Sequence, residues 1–256
     1  VACVRDCFKW GVAEEIVDPM VLVALGALQN LKAGRCAARP PRKIAPVADD
    51  VVERTLEQMP RIPADMVRVQ RLVGCRPGEV CQMRTADFDT SKDVWEYRPS
   101  RHKTEHRGKD KVYLVGPRAQ AILREYLRTE IDAPIFSPRE SERLRAAELR
   151  ANRKSKLTPS QRKRSSRAAA RATKRPRAPA LAYTTDSFRR VVQRAAERAG
   201  VSDWHPHQLR HTRATEVRGL FGLDGAAAVL GNTIEAAEIY ADRNLTLART
   251  IAARTG

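Results

Sequence analysis

Strand-like runs occur at one place in this chain, and helical periodicity governs what lies on either side. Val94–Arg98 and Lys111–Val115 read as two short strands, separated by a polar stretch that runs on from His102. That arrangement predicts an antiparallel hairpin. No alternation of strand and helix follows, so doubly wound folds and their nucleotide crevices lose support. The expected class is mainly α with a small antiparallel β-sheet, an α+β fold.

The helical stretches show where the chain divides. Val4, Phe8 and Val12 lie four apart, and Val21–Leu31 is apolar at helical spacing. Residues 33–46 carry Gly, Pro and charge without periodicity, the signature of a linker. Asp49 or Asp50 is placed to cap a helix over Val51–Gln58. A helix over Arg61–Leu72 should stop at Gly74, with Pro77 starting the next in the favoured first position. Arg118–Arg128 reads as helical. Ser187–Ala199 is amphipathic, with Phe188, Val191, Val192, Ala195 and Ala199 on one face, Asp186 as cap and Gly200 as stop. His207–Leu220 and Thr233–Tyr240 are the last helices expected.

Charge narrows the partner. The 256 residues hold 48 Lys and Arg against 30 Asp and Glu, a net charge of +18, and 37 of the cations are Arg. Arginine's planar fork matches phosphate oxygens, so nucleic acid is the first partner to consider. A coding bias toward Arg and Ala explains the excess equally well. The distribution is uneven: Ser137–Ala180 carries 15 of the cations and 3 acids. This segment reads as a basic insert, helical at Glu140–Lys154 and punctuated by Ser and Pro thereafter. A nuclear-type address, a solvated tail and nonspecific DNA or RNA contact all fit it. Five cysteines without a CxxC pair argue against a disulfide framework or a zinc ribbon and fit a reducing cytoplasm. No apolar run approaches membrane-span length, and no signal peptide is visible. The chain opens on Val1 rather than Met and is expected to be a fragment.

Four local patterns carry chemistry. In GCRPGEVCQMR, Arg76 stands at a helix start, a natural anion site, with Glu79 three residues on; a surface ion pair accounts for it as well. Lys103, between the strands, can reach a groove or simply face solvent, and Lys109 and Lys111 compete with it. In HPHQLRHTRAT, His207 and Arg210 share a helical face and can touch one phosphate, although chance alone produces such a pair readily in an Arg-rich chain. Tyr240 closes LGNTIEAAEIY, where packing is the ordinary role of a lone tyrosine.

Taken together and in this order, GCRPGEV, the hairpin lysine, HPHQLRHTRAT and LGNTIEAAEIY resemble the two arginine boxes, the lysine and the nucleophile box of tyrosine recombinases, the phage-integrase family. The resemblance covers roughly residues 51–255 and is interrupted by the basic insert. It implies a tyrosine-recombinase-like catalytic domain over 51–256, with the insert at about 139–180. Residues 39–50 would be a linker, and 1–38 would be the C-terminal remnant of a helical core-binding domain.

The same resemblance implies an activity: site-specific cleavage and rejoining of double-stranded DNA through a phosphotyrosyl intermediate, without ATP, metal or cofactor. Arg76 and Arg210 would hold the phosphate, Tyr240 would attack it, Lys103 would protonate the leaving oxygen, and His207 would accept the tyrosine proton or hydrogen-bond the phosphate. Glu79 would support the first box. Asn232 stands where the family usually has His or Trp; its amide can donate a hydrogen bond but cannot carry a proton. His205 and His211 are expected to pack or cap. The implied assembly is a homotetramer on DNA in the cytoplasm, associated with the nucleoid, with no membrane or small-molecule partner. A DNA-binding protein of the same fold with impaired catalysis is the alternative. An RNA-binding basic protein accounts for the insert alone, and a type IB topoisomerase shares the chemistry.

Overall fold

The computed structural model describes residues 2–28, 37, 44–101, 111–156, 158–172, 179–231 and 233–240. The chain divides into two compact units, Val1–Lys43 and Ile44–Gly256.

The first unit pairs helix α1 (Ala2–Ala13) with α2 (Pro19–Gly26). Asp18 caps α2 by accepting the Met20 amide at 2.7 Å, and Pro19 fills the first turn, where no N–H is needed. Arg5 Nε donates to the Leu25 carbonyl at 2.9 Å and ties the two helices together.

The second unit is built around α4 (Arg61–Val73), which buries Ile62, Met66, Val67, Val69 and Val73. It also buries Gln70, whose amide donates to the Cys75 and Pro206 carbonyls at 3.3 and 2.9 Å. Against it lie α5 (Pro77–Cys81), α6 (Pro117–Arg124), α9 (Thr185–Ala199) and α10 (His207–Leu230), and α3 (Asp49–Leu56) packs on α9. The short α11 (Ile234–Tyr240) packs on α10. Among the described residues no helix is long and apolar enough to cross a membrane.

The sheet has three antiparallel strands in sequence order: β1 (Phe88–Asp89), β2 (Trp95–Tyr97) and β3 (Tyr113–Val115). Trp95 pairs with Val115, Glu96 with Leu114 and Tyr97 with Tyr113. With a side-chain period of two, Trp95, Tyr97, Tyr113 and Val115 all face the core, while Leu114 is exposed. The hairpin expected between the two runs is therefore present, with strands shorter than the sequence suggested. β1 is an addition, since two residues leave no period to detect.

Other differences have local causes. Asp49 and Asp50 lie in the first turn of α3, where carboxylates suit the helix dipole, and Ala48 occupies the cap position. Thr184, not Asp186, caps α9: its hydroxyl accepts the Ser187 amide at 3.1 Å, and Ser187 returns a bond to the Thr184 amide. Helix α10 continues ten residues beyond Leu220, through a kink at Gly222, where φ is 78°. The insert contains two helices, α7 (Pro138–Ala151) and α8 (Pro159–Ala172), where only the first was expected.

Candidate active site

Helix ends deliver most of the site. α4 stops at Gly74, in the left-handed region at φ 77°. A side chain there would be strained, and its Cβ would stand 3.1 and 3.2 Å from Arg213 Cγ and Leu230 Cδ2. This tight turn releases the chain into Cys75 and Arg76, and Arg76 begins α5. Glu79 folds back on that start. Its Oε2 accepts the Arg76 amide at 2.6 Å, and its Oε1 accepts Arg76 Nη1 at 3.1 Å.

Glu79 is buried, and β3 and the residues just before it supply two more partners. The Tyr113 hydroxyl donates to Oε2 at 2.6 Å, and Lys111 Nζ lies 3.5 Å from Oε1. The Tyr97 hydroxyl donates to the Glu79 backbone carbonyl at 2.8 Å. Burial alone would raise the Glu79 carboxyl, but Lys111, Tyr113 and Arg76 together hold it below its usual range. Lys111 behaves oppositely. Burial outweighs Glu79, and Arg210 and Arg76 add repulsion, so the ammonium is lowered to about 8.

Arg210, 0% exposed, stands on α10 beside this carboxylate. Its Nη1 donates to the Gly74 carbonyl at 2.7 Å and to the Tyr113 hydroxyl at 2.9 Å, and its Nη2 donates to the Leu230 carbonyl at 3.1 Å. The guanidinium thus joins the C-terminal ends of α4 and α10, where unpaired carbonyls carry partial negative charge. Five N–H groups are available to an arginine, and among the described residues Nε here has no hydrogen-bond partner. Tyr113 closes a chain that runs Arg76, Glu79, Tyr113, Arg210.

Tyr240, at the end of α11, lies over this arrangement. Its ring centre is 4.9 Å from Arg210 Cζ, 4.9 Å from the His211 ring and 5.8 Å from the His207 ring. His207 is partly buried, and burial followed by the charges of His211, Arg210, His205 and Arg76 lowers it to about 4. It is therefore neutral at pH 7. Arg76 joins this cluster through Glu79: burial works against its charge, but the Glu79 carboxylate, followed by Tyr113, makes the guanidinium hold its proton more tightly.

Arg76, Glu79, His207, Arg210 and Tyr240 thus stand together. Lys103 and Asn232 lie outside the described residues. His211 is buried against Tyr240, and the His205 amide donates to Gln208 Oε1 at 3.1 Å. Tyr113 is the participant that sequence reasoning missed. Its inward register in a strand that places Lys111 two residues earlier is the one signal that pointed to it. Among the described residues no group of His, Cys, Asp and Glu is arranged to hold a metal ion.

A family model described as the phage integrase family matches residues 49–244. Among solved structures, the chain is similar to XerA recombinase, with a TM-score of 0.51 and 17% identity over 98% of this chain and 74% of that one. It is similar to a lambda integrase dimer bound to a COC' core site, with a TM-score of 0.57 and 16% identity over 94% of this chain and 57% of that one. The Tn1549 transposon integrase in complex with a circular intermediate DNA gives a TM-score of 0.56 and 12% identity over 98% of this chain and 76% of that one. At such identities the likeness is one of fold. Comparison with curated proteins returns no match.

Proposed function

The chain belongs to the phage integrase family, and from that premise we propose that it is a site-specific DNA recombinase that cuts and rejoins duplex DNA through a tyrosine-linked intermediate. The observation that carries this reading is the gathering of His207 and Arg210 around Tyr240, with Arg76 joined to Arg210 through Glu79 and Tyr113.

The chemistry follows from the charges. A phosphodiester repels nucleophiles, and more negative charge develops on its oxygens as an attacking oxygen approaches in line. Arg76 and Arg210 supply fixed positive charge for those oxygens. Arg210 is held by two carbonyls and Tyr113, so it need not reorganise, and its Nε–H is left for a phosphate oxygen. Neutral His207 takes the proton of Tyr240 as its oxygen bonds to phosphorus. The bond to the 5′ oxygen breaks, and Lys103 gives that oxygen its proton. The phosphotyrosyl ester retains the bond energy, so the reverse attack by a DNA hydroxyl rejoins a strand without ATP or metal. The Tyr240 ring faces the Arg210 guanidinium, so the two separate as a phosphate enters between them.

Glu79 and Tyr113 act as positioning residues, setting the spacing of the two arginines. Asn232 offers a further amide donor to the phosphate. Residues 1–38 serve as the end of a helical core-binding domain joined by the 39–50 linker. The working assembly is a homotetramer on DNA.

The test is a covalent trap. A library selection first identifies a bound duplex, and a nicked version of it is then incubated with the protein and run on a denaturing gel. A protein–DNA adduct that disappears in Tyr240→Phe supports the reading. Binding without any adduct assigns the chain instead to DNA-binding proteins of this fold that have lost turnover.

A further inference from the structure

The basic insert is a built element. It leaves the catalytic unit at α7 and returns at Pro179, where Arg139 Nε donates to the Pro179 carbonyl at 2.7 Å and holds the two ends together. Arg128 pairs with Glu140 at the start of α7. Between the helices, Arg153 donates to the Ser155 carbonyl at 3.0 Å and to Gln161 Oε1 in the first turn of α8 at 2.7 Å.

Charge is graded along this element. All three acids of the insert, Glu140, Glu142 and Glu148, lie in α7. From Leu149 to Thr185 there is no acidic residue. α8 therefore has no carboxylate of its own, yet it carries Arg162, Lys163, Arg164 and Arg167, all exposed. Lys163 and Arg167 are four apart, and Arg164 and Arg167 three apart, spacings at which like charges destabilise a helix. Cations in its first half also oppose the helix dipole. An anion that lowers this repulsion would stabilise α8.

The composition discriminates among anions. Residues 137–180 contain no aromatic side chain. Recognition of single-stranded nucleic acid relies on stacking bases on aromatic rings, and insertion into a membrane interface needs large apolar side chains opposite the charges. α8 has neither; its uncharged residues are Ala, Ser, Gln and Pro. What remains suits the regular array of phosphates along a double helix. A 14-residue helix is about 21 Å long, and B-DNA presents on the order of a dozen phosphates over that distance.

We propose that α8 is a second DNA-binding element, gripping the phosphate backbone of duplex DNA without reading its sequence. The proposal rests on the recombinase reading and adds to it a contact made by residues outside the catalytic cluster. Such a contact lengthens the footprint and strengthens nonspecific association, on which site search depends.

The experiment compares the full chain with a variant carrying Arg162→Gln, Lys163→Gln, Arg164→Gln and Arg167→Gln. Glutamine preserves helix propensity. Binding to a long duplex of random sequence is measured across a salt series. Each phosphate contact contributes about 0.9 to the slope of log affinity against log salt, so the variant's slope should be shallower by about 2 to 4. A control variant, Arg61→Gln with Arg68→Gln, removes cations already paired with acids and should leave the slope unchanged. An unchanged slope in the α8 variant, with the parent chain binding duplex normally, overturns the proposal and leaves the recombinase reading intact. Failure of the parent chain to bind duplex at all overturns that reading itself. A slope change seen with single-stranded RNA and not with duplex DNA also overturns the proposal, in favour of an RNA contact.

Discussion

Two groups of arginines in this protein have opposite surroundings. Arg210 is fully enclosed, with three hydrogen bonds to groups on α4, α10 and β3. Arg164 and Arg167 stand in solvent on α8, on a helix without an acid. The same side chain therefore has two uses. In the enclosed group, carbonyl dipoles, a hydroxyl and Glu79 fix the guanidinium before any phosphate arrives, and this preorganisation suits a transition state. On α8 the charges of Arg164 and Arg167 are exposed to water, and the interaction available to them is long-ranged, salt-sensitive and indifferent to sequence.

The largest test of this contrast is at Arg210. Arg210→Ala should lower strand cleavage by orders of magnitude. It should also destabilise the fold by about 3 kcal/mol or more, because it strands buried carbonyl oxygens. Arg164→Ala should change stability by no more than about 0.5 kcal/mol and leave cleavage at low salt unaltered. Denaturant titration and a single-turnover cleavage assay separate the two, and similar losses at both positions would break the comparison.

Tyr113→Phe probes the link between the arginines. It removes one hydroxyl, leaving Glu79 Oε2 and Arg210 Nη1 each short of a partner, at a cost of about 1–3 kcal/mol. Cleavage should fall about tenfold or more at saturating DNA, with affinity nearly unchanged, since both guanidinium charges remain. A change in affinity alone would show that Tyr113 does not position Arg210 for the chemical step.

Lys111 yields a pH prediction. Unfolded, a lysine keeps its proton up to about 10.5; in the folded chain Lys111 gives it up at about 8. Between those values the unfolded chain binds more protons, so stability should rise with pH across that window. Lys111→Met should flatten the rise, as measured by denaturant midpoints at a series of pH values. Lys92→Met should leave the rise in place, because the proton of this surface lysine is held more tightly where Glu96 accepts from its ammonium, a contribution of the opposite sign.

The smallest effect concerns His207. Its imidazole resists protonation down to about 4, whereas an unfolded histidine takes a proton near 6.5. Stability should therefore decline as pH falls from 6.5 toward 4, and His207→Gln should lessen that decline. Cleavage should persist in the same interval for as long as the folded protein survives, because the base stays neutral. Loss of cleavage at pH 6 with the fold intact would show that another group sets the pH dependence.

Much of this site was legible because its signals are short-range. Arg76 and Glu79 are one turn apart, as are His207 and Arg210, and Gly74 and Pro77 announce their helix boundaries by backbone chemistry alone. The amphipathic face of α9 and the inward residues of β2 and β3 follow from periodicity in the same way. What tertiary structure decided depends on long-range contact. Nothing local distinguishes Lys111 from Lys109, and the one local mark of Tyr113 is its inward register in the strand. Their importance arises because the strand passes Glu79, 34 positions before Tyr113 in the chain. Arg210 likewise meets the Gly74 carbonyl across 136 positions. Sequence alone determined which residues carry charge, protons and turns; packing α10 and the sheet against α4 decided which of those charges would be taken out of water and fixed, because burial and partners are properties of the folded neighbourhood and not of the residue.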